Sequence, residues 1–297
     1  MTMPIAFTVN DRVKQVRAAL AYADPKKRAL PAVIEDALRL WEAAQQLPSN
    51  QPGNAHSSTL EREIVGDLVA TATADTLGTA VHDAEARLRY ADAADRLRKA
   101  GLTDALAYKV DAAITTGLTE IHARLAPALL EHAYKLRQVA AKLPADPFDP
   151  VAVLAAKAGP AFDIAQEECA ALIAIGAPFA PRPGTVTNVP RSAQPLVAIT
   201  DVGTVVPQTT VSLGQIDDRG NTPAEAAQYK AVRQMHTDAH QDGTDVAIVR
   251  AAAGTYGDRV TFALVHPDNA LDRAQQHTNA ELVRRGEIDR SQMLALR

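Results

Sequence analysis

The sequence has few of the residues that usually anchor a large core or build a reactive site. Only 4% of its 297 residues are aromatic, one is tryptophan and one is cysteine. The single cysteine, Cys169, excludes a disulfide within the chain, and its apolar surroundings predict a buried, unreactive thiol. No run approaches the roughly 18 consecutive apolar residues of a membrane-spanning helix, and the first residues lack the pattern of a signal peptide. The sequence therefore predicts a soluble protein, cytoplasmic or within an assembled particle, that is not secreted by a signal peptide.

Sequence motifs for catalysis and nucleotide binding are absent as well. The chain has no phosphate-binding glycine loop, dinucleotide fingerprint, GxSxG elbow or kinase signature. Its net charge is −4, so no broad basic field is available to hold the phosphates of a nucleic acid. The densest basic run, within residues 87–99, alternates with acidic residues and predicts an ion-paired helix face. The sequence thus predicts no cofactor and does not favour a nucleic-acid partner.

Alanine makes up about one residue in five, and alanine has the highest helix propensity of all residues. Apolar positions repeat at helical spacing from about residue 58 to 100 and from about 103 to 143. Only Gly101 and Leu102 separate these two segments, so we expect two long helices that fold back antiparallel. The spacing therefore predicts a long antiparallel helical hairpin or bundle whose buried seam consists mainly of small aliphatic side chains.

Three residue types within the helical part carry more local predictions. Pro127 lies inside the second long helix and should kink or split it, since proline removes a backbone donor. Gly66 and Gly78 lie inside the first one, where each either permits close helix contact or marks a bend. Trp41 is expected to be half-buried against a neighbouring helix.

A change in composition predicts a second region. Residues 181–195 are rich in proline and are expected to link a helical domain, residues 1–180, to a small α+β domain, residues 196–297. Runs of β-branched residues predict strands, with a hairpin turn at residues 254–257; the predicted strands cover 196–200, 204–206, 209–213, 245–252 and 259–266. The predicted fold class is mainly α with a smaller α+β C-terminal region that holds a small mixed sheet with helices.

No set of residues predicts a catalytic or cofactor site, and two histidines are weak candidates for a metal site. His236 and His240 are four residues apart on one predicted helix, a spacing that could hold zinc, although no third ligand is fixed by spacing. His266 and His277 lie in the same region. An exposed polar helix end is the favoured explanation of the pair. Adjacent carboxylates precede Cys169, but they point about 100° apart on a helix and do not form a catalytic pair. The acidic turn at residues 217–221 resembles a calcium loop in composition only.

These observations favour a non-enzymatic structural or assembly protein. A long helical hairpin supplies reach, and by analogy of overall plan such a protein could be a virion or scaffold component of the bacteriophage type, with protein partners and self-association. One alternative is an enzyme with a site between the helical and α+β regions, built from residues such as His236, Asp238, His240 and His266. The other is a nucleic-acid-associated module that uses residues 87–99 or 284–290.

Overall fold

The computed structural model describes residues 5–23, 29–47, 59–71, 73, 75–181, 189–205 and 223–282. Within them lie eleven α-helices and one two-stranded antiparallel sheet. The elements are α1 Ile5–Ala23, α2 Ala32–Gln45, α3 Thr59–Thr71, α4 Leu77–Lys99, α5 Leu102–Ala140, α6 Pro150–Ala155, α7 Gly159–Gly176, α8 Gln194–Ile199, β1 Thr200–Asp201, α9 Pro223–Gln241, α10 Thr244–Ala252, β2 Thr261–Phe262 and α11 Ala270–Leu282. The predicted fold class, mainly α with a smaller α+β region, is confirmed.

The chain forms two compact units, and the division falls inside α1 and α5. Unit 1 comprises Met1–Asp11 and Pro31–Gly117, and unit 2 comprises Arg12–Leu30 and Leu118–Arg297. The predicted linker at 181–195 is not a division between these units, because α7 contacts both α8 and α10 within unit 2. The boundaries of independently folding domains therefore stay a prediction, which limited proteolysis would test.

The second long helix of the sequence prediction is present as α5, a single helix of 39 residues. It begins directly after Gly101, which has a φ of +93° and separates α5 from α4. This backbone conformation is open to glycine at little steric cost. Pro127 lies inside α5 without splitting it. Trp41 of α2 is buried, with 2% of its surface exposed, and is more deeply placed than expected.

The first long helix is divided into two, which corrects the prediction of one continuous helix over residues 58–100. α3 ends at Thr71 and α4 begins at Leu77, and the backbone N–H of Thr73 donates to the hydroxyl of Thr76 at 2.9 Å. Threonine hydroxyls that bond nearby backbone groups compete with helix hydrogen bonds, which explains the break. The two helices contact each other, and Arg87 lies 3.3 Å from Asp67. Since twenty residues of continuous helix would separate them by about 30 Å, α3 and α4 form an α3–α4 hairpin.

The core of unit 2 is built around α7. α7 contacts α6, α8 and α10, and its buried side chains include Leu172 and Ile175. Gly176 at its end is packed against Ile199 so closely that a Cβ atom would clash with the isoleucine Cγ2. Glycine is therefore required here by the close approach of α7 and α8 and not by backbone conformation.

Two of the predicted strands are helices. Residues 196–199 belong to α8 and residues 245–252 to α10. Both segments are apolar and buried on nearly all sides, and a short apolar run of this kind has the same sequence pattern as a buried strand. Pro195 in the first turn of α8 favours the helix. The predicted hairpin at 254–257 is consequently wrong, since this turn follows α10.

The sheet is shorter than predicted. β1 pairs antiparallel with β2, Thr200 opposite Phe262 and Asp201 opposite Thr261. Two further backbone bonds join Ala263 and Val265 to carbonyls at the end of α8. Residues 204 and 205 are not in a strand, and the predicted strand at 209–213 lies outside the described residues.

Candidate functional site

A buried polar cluster joins α9 to α11 in unit 2. Nδ1 of His236 lies 3.0 Å from Oε1 of Glu281, and its Nε2 lies 3.0 Å from Nδ1 of His277. The two imidazole rings stack with centroids 5.3 Å apart. Both histidines are fully buried and Glu281 is 5% exposed. We refer to these three residues as the His236–His277–Glu281 cluster.

The hydrogen-bond pattern of this cluster is consistent with one proton on each imidazole. The carboxylate accepts from Nδ1–H of His236, whose Nε2 then accepts from Nδ1–H of His277. Nε2 of His277 is buried and has no hydrogen-bond partner among the described residues. A second proton on His277 would be costly, because its charge could not be solvated.

Neighbouring charges favour the same neutral form of His277. Burial lowers its pKa well below the usual value, and His236 and Arg273 lower it further, while the backbone of Thr200 acts in the opposite direction. The guanidinium of Arg273 donates to the carbonyl of Thr200 at 2.6 Å and lies 3.7 Å from Asp201. The cluster therefore ties α11 to α9, and Arg273 links α11 to the backbone of Thr200 in β1.

A second polar cluster surrounds Asp238. Its carboxylate accepts from the hydroxyl of Tyr256 at 2.7 Å and from the amide of Gln234 at 2.6 Å, and Nη1 of Arg250 lies 3.1 Å away. Arg250 also donates to Asp242 at 2.6 Å. Burial raises the pKa of Tyr256, and the bond to Asp238 adds to that shift. Because Asp238 is occupied by three partners, it stabilises the turn after α10 and is not poised to accept a proton from a substrate.

The predicted metal candidates do not face a common space. His236 is buried with both ring nitrogens engaged, while His240, in the last turn of α9, is exposed. His266 lies elsewhere, 3.4 Å from Asp268 and with its ring 4.9 Å from that of His122. In the described part of the chain, no group of three or more His, Cys, Asp or Glu side chains could hold a metal ion. The metal hypothesis and the enzyme hypothesis therefore gain no geometric support.

The remaining sequence candidates have structural partners. Cys169 is buried, and burial raises the pKa of its thiol, as expected for an unreactive cysteine. Glu168 points inward and lies 2.5 Å from Nδ1 of His132, whereas Glu167 is exposed, so the two carboxylates diverge as predicted. The acidic turn at 217–221 and the basic residues at 284–290 lie outside the described residues.

Three of the five Arg and Lys residues of α4, namely Arg87, Arg89 and Arg98, are paired with acids, which agrees in part with the predicted ion-paired face. Arg89 lies 2.6 Å from Glu85 and Arg98 lies 2.7 Å from Asp95, in addition to the pair between α4 and α3 described above. The exposed pairs of Arg87 and Arg89 contribute little stability, whereas the pair of Arg98 with Asp95 is partly buried. They do reduce the net positive potential along α4, which weakens the case for nucleic-acid binding there.

The α3–α4 hairpin has few buried residues of its own. α4 buries only Ala91 and Ala94 of its 23 residues, and Ile64 is the large buried side chain of α3. Six large apolar side chains of the hairpin are instead exposed by 47–78%, namely Val65, Val69, Leu77, Val81, Tyr90 and Leu97. Scattered apolar residues are normal on a protein surface, but six on one hairpin that buries so little are typical of an interaction surface.

None of the helices in the described part of the chain is long and apolar enough to cross a membrane.

The His236–His277–Glu281 cluster could be predicted only in part from the sequence. His277 and Glu281 are four residues apart and share one face of α11, which is a usable signal, but their meeting with His236 depends on how α9 and α11 pack. Comparison with models of protein families, with curated proteins and with solved structures gives no match.

Proposed function

We propose that this chain is a non-enzymatic structural or assembly protein, and that the α3–α4 hairpin contacts other protein molecules. The observation that carries the proposal is the imbalance between exposed and buried apolar side chains in this hairpin. Covering each of its six exposed apolar side chains would contribute roughly 1 kcal/mol, since about half of each already lacks contact with water. That sum is the gross apolar contribution to a contact, and the loss of translational and rotational freedom on association subtracts from it.

The polar clusters of unit 2 support the non-enzymatic part of the same proposal. Their side chains are occupied by one another and hold helices together, so they do not form a set of reactive groups around a common space. A virion or scaffold component of the bacteriophage type is one protein of the proposed class, and this narrower proposal rests on analogy of overall plan alone. Capsid or tail genes beside the gene for this chain would support it.

The proposal is tested by hydrogen exchange combined with mass in solution. In a dilute sample, backbone amides of α3 and α4 should exchange much faster than those of α7, because helices with little tertiary burial open readily. At concentrations where sedimentation detects larger species, or with a bound partner, exchange in α3 and α4 should slow. A chain that is strictly monomeric and protects α3–α4 as well as α7 would contradict the proposal.

A matched pair of variants separates this surface from general apolar exposure. Val69 in α3 and Leu271 in α11 are both 78% exposed. Val69→Ser should weaken association measured by sedimentation velocity, whereas Leu271→Ser should leave it unchanged. Equal effects of the two substitutions would indicate non-specific hydrophobic association instead.

A further inference from the structure

A second exposed surface lies on the other helix pair of unit 1. α2 and the first half of α5 approach closely where Gly117 faces Ile34; a Cβ on this glycine would lie 2.9 Å from the isoleucine Cδ1. Beside this contact the two helices form a shallow groove of about 340 Å³. We call it the α2–α5 face; it is lined by Val33, Asp36, Ala37 and Leu40 of α2 and by Lys109, Ala112, Ala113 and Thr116 of α5.

Each helix contributes residues at positions i, i+3, i+4 and i+7 to this face. That spacing is the pattern of a helix stripe that packs against another helix. α2 already uses a different stripe, with Ile34, Leu38 and Trp41 buried, for its own core. Val33 and Leu40 remain 45% and 49% exposed. The α2–α5 face is therefore a second packing stripe beyond the one that the unit itself buries.

The two halves of the α2–α5 face differ in the size of their apolar side chains. The α2 side carries the large side chains Val33 and Leu40, and the α5 side has the small side chains Ala112 and Ala113. Small residues let a neighbouring helix approach closely and accept its larger side chains between them. A surface that carries projections beside matching depressions can bind its own copy after a rotation of 180°, as in symmetric dimers.

The α2–α5 face carries one acidic and one basic residue, and their placement suits a two-fold contact between copies. Asp36 lies on the α2 side and Lys109 on the α5 side. Among the described residues, neither makes an ion pair or a hydrogen bond through its side chain, although exposed neighbours on the same helix such as Glu35 and Arg39 do pair. A two-fold rotation that places α2 of one copy on α5 of the other brings each Asp36 to the Lys109 of the second copy, so both charges are matched twice.

We propose that the α2–α5 face binds the same face of a second copy of this chain, so that two α2 helices and two α5 helices form a four-helix bundle. The inference rests on the proposed structural function and specifies one partner and one surface for it. Four-helix packing of this kind buries two apolar stripes against each other, which neither copy can do alone.

Charge reversal at the two residues tests this geometry. Asp36→Lys brings two lysines together in each of the two contacts, and Lys109→Asp brings two aspartates together, so each single variant should weaken dimerisation about tenfold or more. An equimolar mixture of the two variants should dimerise again as a mixed species. In that dimer lysine at 36 faces aspartate at 109 in one contact, and the original Asp36 faces the original Lys109 in the other, so opposite charges meet in both. Native mass spectrometry with one variant isotopically labelled identifies that mixed dimer directly.

The control is Glu42→Lys, which makes the same change of charge on the same helix. Glu42 is exposed and lies nine positions after Val33, on the opposite side of α2 at about 100° per residue. It should leave the dissociation constant unchanged, and circular dichroism should be the same for all variants. A second, uncharged variant, Leu40→Ser, should weaken dimerisation without any change in its salt dependence.

The outcomes separate this inference from the proposed function. Single variants that associate like the wild type, or a mixture that fails to restore the mixed dimer, would overturn the inference. If Val69→Ser abolishes association in that case, the proposed function stands and the contact lies on the α3–α4 hairpin. A wild-type chain that stays monomeric to about 100 µM, a concentration that detects even weak dimers, would also overturn the inference, and hydrogen exchange in α3–α4 would still decide the function.

Discussion

Helices α4 and α7 show how differently two parts of this molecule maintain the same secondary structure. α4 has 23 residues and buries two alanines, whereas α7 has 18 residues and buries eight, among them Leu172 and Ile175. α4 is rich in alanine, arginine and aspartate, and its charged side chains form pairs along and between helices. α7 depends on contacts with α6, α8 and α10.

The difference separates helix formation from tertiary stability. Helix propensity and pairs at i, i+4 contribute only a few tenths of a kcal/mol each, so they favour a helix without fixing its position in a fold. Burial fixes the position and contributes most of the stability. A hairpin of the α4 type therefore has little burial to fix its position, which the proposed partner contact would supply, and a helix of the α7 type holds its unit together.

The largest expected effect tests that contrast directly by truncating one leucine in each helix. Leu172→Ala in α7 should lower the free energy of unfolding by about 3–5 kcal/mol, because it leaves a cavity in a fully buried position. Leu97→Ala in α4, where 54% of the side chain is exposed, should cost less than about 0.5 kcal/mol in the dilute monomer. Urea unfolding followed by circular dichroism measures both. Similar losses in the two variants would remove the distinction between the helices.

The next effect concerns the contact between α7 and α8. Gly176→Ala should destabilise unit 2 by about 1–3 kcal/mol, because the added methyl group overlaps Ile199. Ile199→Ala should also be destabilising, but the double variant should lose less than the sum of the two, since the smaller residue makes room for the methyl group. Additive losses in this double-mutant cycle would show that the two residues do not touch.

A third prediction concerns how stability depends on pH. Unit 2 contains a buried histidine, and the α3–α4 hairpin does not depend on one, so acid should destabilise unit 2 more. The pKa of His277 is lowered in the folded chain, so below about pH 6.5, the usual histidine value, the unfolded state binds more protons than the folded state. The stability that neutral His277 provides is fully present above that pH and is lost as the pH falls. For one proton, the loss is about 1.4 kcal/mol per pH unit.

His277→Asn keeps a hydrogen-bonding group near the position of Nδ1 and removes the titrating ring, so the slope of stability against pH between about 6.5 and 5 should decrease by about one proton. His240→Asn makes the same change at an exposed position of α9 and should leave the slope as it is. Chemical unfolding at a series of pH values gives both slopes. An unchanged slope in His277→Asn would mean that other groups dominate acid sensitivity.

The smallest expected effect is a gain of stability in the hairpin. A Cβ atom at Gly78 of α4 would meet no other atom within 4 Å, so Gly78→Ala should stabilise the helix by up to about 1 kcal/mol through propensity alone. Gly101→Ala should instead be destabilising, because φ is +93° there. Helix content and unfolding midpoint report both changes. A loss of stability in Gly78→Ala would reveal a close contact of the hairpin at that position.

Much of the helical part could be predicted from the sequence, and the reason is its periodicity. Apolar residues repeat at helical spacing through α5 and α7. The alanines between them favour the helix as well, because alanine has the highest helix propensity. The errors fall on segments where local pattern is ambiguous. Residues 196–199 and 245–252 are short apolar runs whose environment is apolar on nearly all sides, so neither period can be recognised. The break between α3 and α4 depends on threonine hydroxyls that bond the backbone, a local competition that periodicity does not register.

The candidate site was likewise predictable only in part. Helical spacing indicated His236, but not that His277 and Glu281 would complete a cluster around it, because that meeting requires α11 to pack on α9. The sequence by itself determined which segments are helical, since propensity and period act between neighbours in the chain. Only tertiary structure decided which of those helices are buried and which expose a second apolar stripe, because burial depends on residues that are distant in sequence and are brought together by packing.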